Sequence, residues 1–413
     1  IYTGEDTLSL HDALPISQSV EIGAAISHAF SAGNQSDVDV ADLVAYLAAD
    51  DDCRAIACVF EGMSHPDRLL AAAELAWKAG KPLLVHKVAT GELGAQAAVS
   101  HTGSLAGSNA AYLAAFDRAG MIVVDDFEGL IEAAAFFAKA PAPKAKGIAV
   151  AATSGGAAIM AADKAEIHGV PMPQPSDPVR AILESHIPDF GSARNPCDVT
   201  AQVVNNPLSL RACADALLGE DAYGALVLPQ PVAFPPHVER IPAISELSAK
   251  HGKITCNVLV SHWLQGPATR EAEADPHVAL FRSMDRCFRT LSAWHRRQDR
   301  VVAGPRVAAR LAPADAARTA AALIEASPNA TLTEREAKAV LSAYGVPVVK
   351  ESLVNDVEAA VAAARDAGYP VAIKVESPDL PHKTEAGVIR LNLKNEADLR
   401  AAFDAVMANA RKV

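Results

Sequence analysis

One histidine, His101, stands in a segment whose residue types could handle a phosphoryl group. The segment is SHTGSLAGS, residues 100–108, and it places Gly103 and Ser104 close behind the histidine. Apolar residues at helical spacing follow, and Gly120 ends this predicted helix. Nearby backbone N–H groups and the positive end of a helix dipole suit an anion. The pattern therefore indicates His101 as a nucleophile toward phosphorus, and a capping loop with a solvent-facing histidine is the alternative interpretation.

Short apolar runs alternate with amphipathic helical patterns on both sides of this segment. The runs are RAIACVF (54–60), PLLVHKV (82–88) and MIVVDD (121–126), and the helical patterns are 65–80 and 109–120. This alternation predicts a parallel, doubly wound sheet, in which ligands bind outside the carboxyl ends of the strands. Glu61 directly follows the first run, so we expect it at that edge. From the local pattern alone, a helix-capping or solvent-facing glutamate is the alternative.

A second α/β pattern opens with GIAVAATSGGAAIMAADKAEIHGV (147–170), which predicts a strand, a turn and a helix that ends at Gly169. The turn residues are Thr153, Ser154, Gly155 and Gly156. The glycines allow a close approach of the backbone, and the helix N-terminus offers N–H groups to an anion. An ordinary strand–helix turn has the same composition, so on its own the pattern indicates a phosphate site only weakly.

The rest of this second pattern adds strands and one carboxylate. ALVLPQP (225–231) and GKITCNVLVSHW (252–263) predict further parallel strands, and the Ala-rich tract 300–330 predicts a connection that is helical in its second half. In NPCDVT (195–200), Asp198 either bonds backbone amides of its loop or borders a site, and we expect the first role.

The string SHTGSLAGS resembles the phosphohistidine segment of the NDP-forming acyl-CoA synthetases, relatives of succinyl-CoA synthetase. The similarity extends upstream through AGNQSDVDVADLVAYLAADDDCRAIACVFEGM (32–63) and downstream through AFDRAGMIVVDDFEGLIEAA (115–134). Two later blocks resemble other domains of the same enzymes. The resemblance implies an internal fragment of an acid–thiol ligase of the ADP-forming acetate–CoA ligase type. Such an enzyme reversibly forms acyl-CoA from a carboxylic acid, CoA and ATP, with release of ADP and phosphate, through acyl phosphate and phosphohistidine.

The same resemblance implies roles for single residues. Glu61 matches the glutamate that holds the active histidine, here His101. A carboxylate on one imidazole nitrogen fixes the tautomer and leaves the other nitrogen free to attack phosphorus. Gly103 and Ser104 then border the phosphate. The Thr153–Gly156 turn is expected to face the phosphohistidine from another domain and to complete the phosphate site.

The last block, 331–413, resembles the N-terminal lobe of an ATP-grasp domain. Thr333 followed three residues later by Glu336 predicts a capping box at the start of a helix. VAIKV (371–375) predicts a strand. The resemblance implies that its lysine, Lys374, contacts nucleotide phosphates.

In the same block, His382 corresponds to the histidine that some ADP-forming members use as a second phosphoryl carrier. It would carry the group between the nucleotide and His101, with Lys383 beside the nucleotide. Glu385 and Ala386 depart from the aspartate and glycine that are common there. The Mg²⁺-binding carboxylates of the ATP-grasp domain are expected beyond this block.

Together these patterns predict the α/β class, with two doubly wound, flavodoxin-like parallel-sheet domains similar to those of succinyl-CoA synthetase and a partial ATP-grasp lobe. Residues 1–17 match neither the family nor a periodic pattern, and we expect them to be a foreign lead. The expected boundaries are 18–140 for the ligase domain with the phosphohistidine loop, 145–300 for the second flavodoxin-like domain, 301–330 for a linker and 331–413 for the truncated ATP-grasp lobe.

Composition limits the function classes. Lys and Arg number 37 against 49 Asp and Glu, a formal net charge of −12, so nucleic acid is not an expected partner. The six cysteines have no CxxC spacing, which argues against a zinc site and a disulfide framework. No apolar run approaches the roughly 18 residues of a membrane span, and no signal peptide is visible. We expect no metal ligands among these residues, no membrane partner and a cytoplasmic location.

The expected ligands are a small carboxylic acid, CoA, and ATP or ADP with Mg²⁺, with the CoA and Mg²⁺ sites mostly outside this chain. A homo-oligomer is expected for the intact enzyme. One alternative is an acyl-CoA-sensing regulatory region of a protein lysine acetyltransferase, and another is an inactive truncated fragment. A degenerate regulatory copy would be expected to lose His101 or Glu61. Both are present, which favours the enzyme.

Overall fold

The computed structural model describes residues 19, 24–32, 37–62, 65–94, 96–97, 108–204, 206–230, 240–261, 269–304, 312–328, 331–377 and 386–412. The chain divides into two compact units, residues 1–306 and 307–413. In the first unit the described helices and strands are α1 (Val40–Ala49), β1 (Ile56–Phe60), α2 (Pro66–Lys78), β2 (Leu83–Lys87), α3 (Asn109–Ala119), β3 (Ile122–Val123), α4 (Phe127–Lys139), β4 (Gly147–Ala152), α5 (Gly155–Ile167), α6 (Asp177–His186), β5 (Cys197–Asp198), a 3₁₀ helix (Ala201–Val204), α7 (Pro207–Gly219), β6 (Tyr223–Gln230), α8 (Ile241–His251), β7 (Ile254–Leu259), α9 (Thr269–Ala274), β8 (Val278–Phe281) and α10 (Met284–Ala303). In the second unit they are α11 (Ala316–Glu325), α12 (Glu334–Ala343), α13 (Val357–Ala367), β9 (Val371–Lys374), β10 (Ile389–Leu393) and α14 (Glu396–Ala410).

The first sheet is parallel, with β2 between β1 and β3. Every residue of β2 is buried, which is typical of a strand covered on both faces. The strand predicted at 121–126 is confirmed but short, since it spans Ile122–Val123 and the end of the predicted run leads into the following helix. Asp126 caps α4 and accepts a hydrogen bond from the Gly129 N–H at 2.6 Å.

The second sheet has the strand order β5-β4-β6-β7-β8, and all its pairs are parallel. The chain leaves β4 for the edge strand β5 and returns to β6 on the other side of β4. Such a reversal is a topological switch point, where open α/β sheets bind ligands. The Thr153–Gly156 turn follows β4 directly and so lies at this point. The predicted strands β4, β6 and β7 are confirmed, while β5 and β8 were not predicted.

One apolar core joins the two sheets of the first unit. It contains Leu84 from β2 and Ile148 from β4, together with Phe136 of α4 and Trp294 of α10. The rings of Phe136 and Trp294 meet edge to face with their centroids 5.7 Å apart, a favoured aromatic geometry. The two sheets are therefore parts of one packed unit.

The second unit contains an antiparallel pair, β9 and β10, that shares a core with α13 and α14. Val361, Leu393 and Leu399 are buried there. The predicted capping box of α12 is confirmed: Glu336 N–H donates to the Thr333 Oγ1 at 3.4 Å, and Thr333 N–H donates to the Glu336 Oε2 at 2.7 Å. Among the described residues of the whole chain, no helix has the length and apolar character that a membrane span requires.

Candidate functional site

Glu61 lies at the carboxyl edge of the three-stranded sheet, directly after β1, and is half-buried. The end of the neighbouring strand lies beside it, because the Val88 N–H donates to the Phe60 carbonyl at 3.1 Å. The other predicted residues of this edge, His101, Gly103 and Ser104, are outside the described residues.

The helix predicted downstream of His101 is confirmed as α3. Ser108 is its N-cap residue, and its side chain makes no capping hydrogen bond. Gly120 ends the helix with a φ of +77°, a left-handed conformation that glycine adopts without a steric penalty. The segment with His101 therefore leads into a helix N-terminus, as the sequence indicates.

Sequence reasoning missed one charged residue at this edge, Lys87, the last residue of β2. Its side chain is buried, with 4% of the residue exposed. The ammonium group donates to the Val88 carbonyl at 2.9 Å and to the Ala89 carbonyl at 3.4 Å, and it lies 4.9 Å from the centre of the Tyr112 ring. Burial lowers the pKa of Lys87. The signal in the sequence was a lysine at the end of an apolar run.

At the carboxyl edge of the five-stranded sheet, the predicted turn leads into α5. Ser154 is the N-cap and makes no side-chain capping hydrogen bond, and Gly155 and Gly156 are the first helical residues. Thr153 is half-buried between β4 and the helix. A helix N-terminus without a side-chain cap can present its first N–H groups to an anion. The residues present therefore fit a phosphate group.

Asp198 braces the loop beside this helix. Its Oδ1 accepts a hydrogen bond from the Thr200 N–H at 3.0 Å, so the role predicted for it is confirmed. Thr200 is buried and has a φ of +66°, an uncommon conformation for a β-branched residue. The other oxygen, Oδ2, lies 3.0 Å from the point that a Cβ at Gly155 would occupy. Glycine is therefore the residue that fits between this carboxylate and the helix start.

Asn195 holds the same loop against β4. Its Oδ1 accepts from the Val150 N–H at 3.0 Å, and its Nδ2 donates to the carbonyls of Ile148 at 2.8 Å and Pro173 at 3.0 Å. The side chain is buried, and its bonds to Ile148 and Val150 satisfy main-chain groups of β4 that precede the residues paired with β5. The loop position at the edge is thus fixed by side-chain amide bonds.

In the second unit, Lys374 ends β9 and belongs to a cluster of two lysines and two glutamates. Its ammonium donates to Glu334 Oε1 and lies 3.5 Å from the Glu351 Oε2. Lys338 contacts both carboxylates, at 2.7 and 2.8 Å. Hydrogen bonds from Lys338 and Lys374 lower the pKa of Glu334 to about 2. A nucleotide phosphate would compete with these carboxylates for Lys374. His382 and Lys383 are outside the described residues.

Two further features bear on ligands. Among the described residues, no group of three or more His, Cys, Asp or Glu side chains is arranged to hold a metal ion. A cavity of about 500 Å³ lies between the end of α6 and the start of α7, lined in part by His186, Pro188 and Leu208. It contains none of the predicted site residues, and His186 is its one ionisable lining residue among those described, so we assign it no phosphoryl chemistry.

Two family models match the chain. A succinyl-CoA ligase-like flavodoxin domain matches residues 14–137, and an ATP-grasp domain matches residues 323–413. These matches and the parallel sheets confirm the predicted α/β fold class.

Among curated proteins, the chain is 30% identical over 393 residues to the 4-hydroxybutyrate–CoA ligase [ADP-forming] of Nitrosopumilus maritimus, covering 94% of this chain and 56% of that protein. It is 30% identical over 394 residues to the acetate–CoA ligase [ADP-forming] I of Archaeoglobus fulgidus, covering 94% and 55%. The chain thus spans about half the length of these relatives.

Among solved structures, the chain is similar to the dinucleotide forming acetyl-coenzyme A synthetase 1 of Ca. Korarchaeum cryptofilum in complex with phosphate and ADP. The TM-score is 0.62 at 23% identity, over 72% of this chain and 65% of that chain. At this identity the likeness shows the fold.

Proposed function

Because the chain belongs to the family of NDP-forming (ADP-forming) acyl-CoA synthetases, we propose that it is an acid–thiol ligase. The reaction forms acyl-CoA from a carboxylic acid, CoA and ATP, with release of ADP and phosphate, through acyl phosphate and phosphohistidine. The observation that carries this proposal is the similarity over 94% of the chain to two ADP-forming CoA ligases. The regulatory alternative gains no support from these relatives, which are named as ligases.

The proposed chemistry at the first edge uses His101 and Glu61. The Glu61 carboxylate holds one imidazole nitrogen of His101, and the other nitrogen attacks the phosphorus of an acyl phosphate. The bond from phosphorus to the carboxylate oxygen breaks, and the acid leaves with its electron pair. Glu61 then stabilises the charge of the phosphorylated ring, and Gly103 and Ser104 border the phosphoryl group.

The edge of the five-stranded sheet is proposed to position the phosphoryl group and to stabilise its charge with a helix dipole. The N-terminus of α5, at Thr153 to Gly156, stabilises the phosphoryl oxygens with main-chain N–H groups. Its proposed role is supported by its place at the switch point and by the absence of a side-chain cap from Ser154. Phosphoryl transfer requires little beyond in-line positioning and charge stabilisation of this kind.

In the second unit, Lys374 and Lys383 are proposed to hold nucleotide phosphates, and His382 is proposed to carry the phosphoryl group between nucleotide and His101. Mg²⁺ would neutralise the nucleotide phosphates when bound. A small acid, CoA and ATP or ADP are the proposed substrates. The domain boundaries predicted from the sequence, the homo-oligomer and the cytoplasmic location stay predictions.

The test is phosphorylation of the full 413-residue chain by ³²P-labelled acetyl phosphate. We expect an acid-labile, base-stable label that His101→Ala reduces to background. His65→Ala is the matched control, because His65 is an exposed histidine of the same unit without a side-chain capping bond. A label on His101→Ala equal to that of the wild type would refute the proposed nucleophile.

The carrier role of His382 needs a separate labelling experiment. In the longer enzyme that carries the whole ATP-grasp domain, His382→Ala should take the label from acetyl phosphate as the wild type does, since that step involves His101. It should lose the subsequent transfer of label to ADP. Equal loss of both steps would refute the carrier role.

A further inference from the structure

Lys87 is a buried cation that has no role in the proposed function. It ends β2, the central strand of the three-stranded sheet, so its ammonium group lies at the carboxyl edge. Its hydrogen-bond acceptors are two main-chain carbonyls, those of Val88 and Ala89. The third contact is the face of the Tyr112 ring. The charge is thus surrounded by neutral groups.

A buried charge in a protein is normally paired with an opposite charge. Among the described residues, the contacts of the Lys87 ammonium are these two carbonyls and the Tyr112 ring, and none of them is a carboxylate. An ammonium has three N–H donors, and one of its two acceptors is at the long distance of 3.4 Å. Lys87 therefore retains both a charge to be neutralised and donor capacity.

The contacts of Lys87 place it where the proposed phosphate chemistry occurs. Ala89, whose carbonyl it contacts, has a φ of +57°, an uncommon conformation for alanine of the kind that clusters at functional sites. Tyr112 lies in the first turn of α3, where its N–H donates to the Ser108 carbonyl at 3.2 Å. On the neighbouring strand, Glu61 follows Phe60, which pairs with Lys87. Lys87 thus contacts the end of one strand and the start of α3 at the same edge.

We propose that Lys87 is a cationic ligand of a phosphoryl group at the carboxyl edge of the three-stranded sheet, an inference that rests on the proposed function because that function brings acyl phosphate to this edge. Lysine binds phosphate as a point charge with rotatable donors. A doubly charged phosphoryl group compensates a buried ammonium more completely than the single charge of a carboxylic acid does. The occupant is therefore the phosphoryl group rather than the carboxylate of the acid substrate.

The chain offers a matched control in Lys81. Its ammonium donates to the main-chain carbonyls of Leu47, at 2.9 Å, and Asp50, so it resembles Lys87 in its bonding. Lys81 precedes β2, however, and lies at the opposite, amino edge of the sheet. Loss of ammonium bonds to main-chain carbonyls would occur in variants of either lysine, whereas phosphate binding would involve Lys87 alone.

The experiment measures binding of inorganic phosphate to the full chain by titration calorimetry. We expect Lys87→Met to weaken phosphate binding at least about tenfold, Lys87→Arg to retain it within about threefold, and Lys81→Met to leave it unchanged. Sodium acetate in a parallel titration should show no dependence on Lys87. Wild-type phosphate affinity in Lys87→Met, an equal loss in Lys81→Met, or a dependence confined to acetate would overturn the inference.

If Lys87→Met does not fold, chemical modification of Lys87 in the wild-type chain tests the inference. Isotopically labelled acetic anhydride should modify Lys87 at least about fivefold more slowly in the presence of phosphate, while Lys81 reacts at an unchanged rate. Absence of this protection would refute the inference. Failure of the proposed function is distinguishable, because equal labelling of the wild type and His101→Ala by acetyl phosphate refutes the proposed nucleophile whatever the phosphate affinity of the chain.

Discussion

The carboxyl edges of the two sheets in the first unit carry different kinds of polar group. At the edge of the three-stranded sheet, the groups are charged side chains, Glu61 and Lys87, on neighbouring strand ends. At the edge of the five-stranded sheet, they are main-chain N–H groups at Gly155 and Gly156, with Asp198 as a brace. Ionisable side chains can exchange protons with a ligand, whereas main-chain N–H groups can only bind and orient it. Under the proposed function, the phosphoryl chemistry belongs to the first edge and the positioning to the second.

These proposed roles require that the two edges keep a fixed position relative to each other. The joint between them is formed by α4 and α10, and its centre is Glu132, which is 3% exposed. Glu132 accepts from the Arg286 guanidinium at 2.7 and 3.1 Å and from the Arg282 N–H at 2.9 Å. The bidentate pair fixes the register of the two helices.

The largest expected effect comes from breaking this joint. Glu132→Ala removes a buried carboxylate that pairs with the half-buried Arg286 and faces the buried Arg282 guanidinium at 3.9 Å, so we expect a loss of about 3–5 kcal/mol in the free energy of unfolding. Urea denaturation followed by circular dichroism measures it. Glu74→Ala, which removes an exposed partner of Lys78, is the control and should leave the midpoint unchanged. A midpoint for Glu132→Ala equal to that of the control would show that the joint does not hold the edges together.

The second prediction concerns the acid sensitivity of the same joint. Burial, with a smaller contribution from Lys146 against the opposing effect of Asp299, lowers the pKa of His295 from 6.5 to about 4. The unfolded chain therefore binds a proton at a higher pH than the folded chain. The resulting stability is complete above pH 6.5 and is lost as the pH falls toward 4, by about 3 kcal/mol. Asp285, whose pKa is lowered to about 2, contributes only below this window.

His295→Phe keeps the ring volume beside Trp294 and removes the titration. We expect the pH dependence of the unfolding free energy between pH 6.5 and 4 to be shallower in this variant than in the wild type. Urea titrations at several pH values provide the measurement. Parallel curves for the two proteins would contradict the assignment of this slope to His295.

How much the sequence could predict differs between the two edges. The apolar runs located β1, β2 and β4, and hence both edges, because buried parallel strands have a distinctive composition. Lys87 was missed because a lysine that ends an apolar run looks the same whether it faces solvent or is buried. The contact of Asp198 with Gly155 depends on β5, a two-residue strand with no periodic pattern.

The contact between α4 and α10 at Glu132 could not be predicted from the sequence either. Glu132 stands 154 positions before its partner Arg286, and a glutamate in a helical pattern gives no sign of a partner at that distance. His101 could be singled out because its neighbours in the chain carry the signal. Long-range partners carry no such local signal, and only the packed structure reveals them.

The third prediction tests the brace at the second edge. Asp198→Ala removes the acceptor of the buried Thr200 N–H, so we expect a loss of about 1–3 kcal/mol in the free energy of unfolding. Asp198→Asn keeps an oxygen acceptor and should lose less. Urea denaturation of both variants makes the comparison. If both variants are as stable as the wild type, Asp198 does not brace this loop.

The smallest expected effect tests whether the second edge positions the phosphoryl group. A Cβ at Gly155 would lie 3.0 Å from the Asp198 Oδ2, closer than carbon and oxygen normally approach, so the helix start or the carboxylate must shift by a few tenths of an ångström. Gly155→Ala should therefore slow phosphorylation by acetyl phosphate about tenfold without unfolding the chain.

Gly156→Ala is the control, because its Cβ would meet only the Ser154 Oγ, at an ordinary 3.7 Å. A Cβ at either glycine has the same effect on helix propensity, so a difference between the two variants reports the contact with Asp198. Equal labelling rates in Gly155→Ala, Gly156→Ala and the wild type would mean that this backbone cradle takes no part in positioning, and the contrast between the two edges would fail.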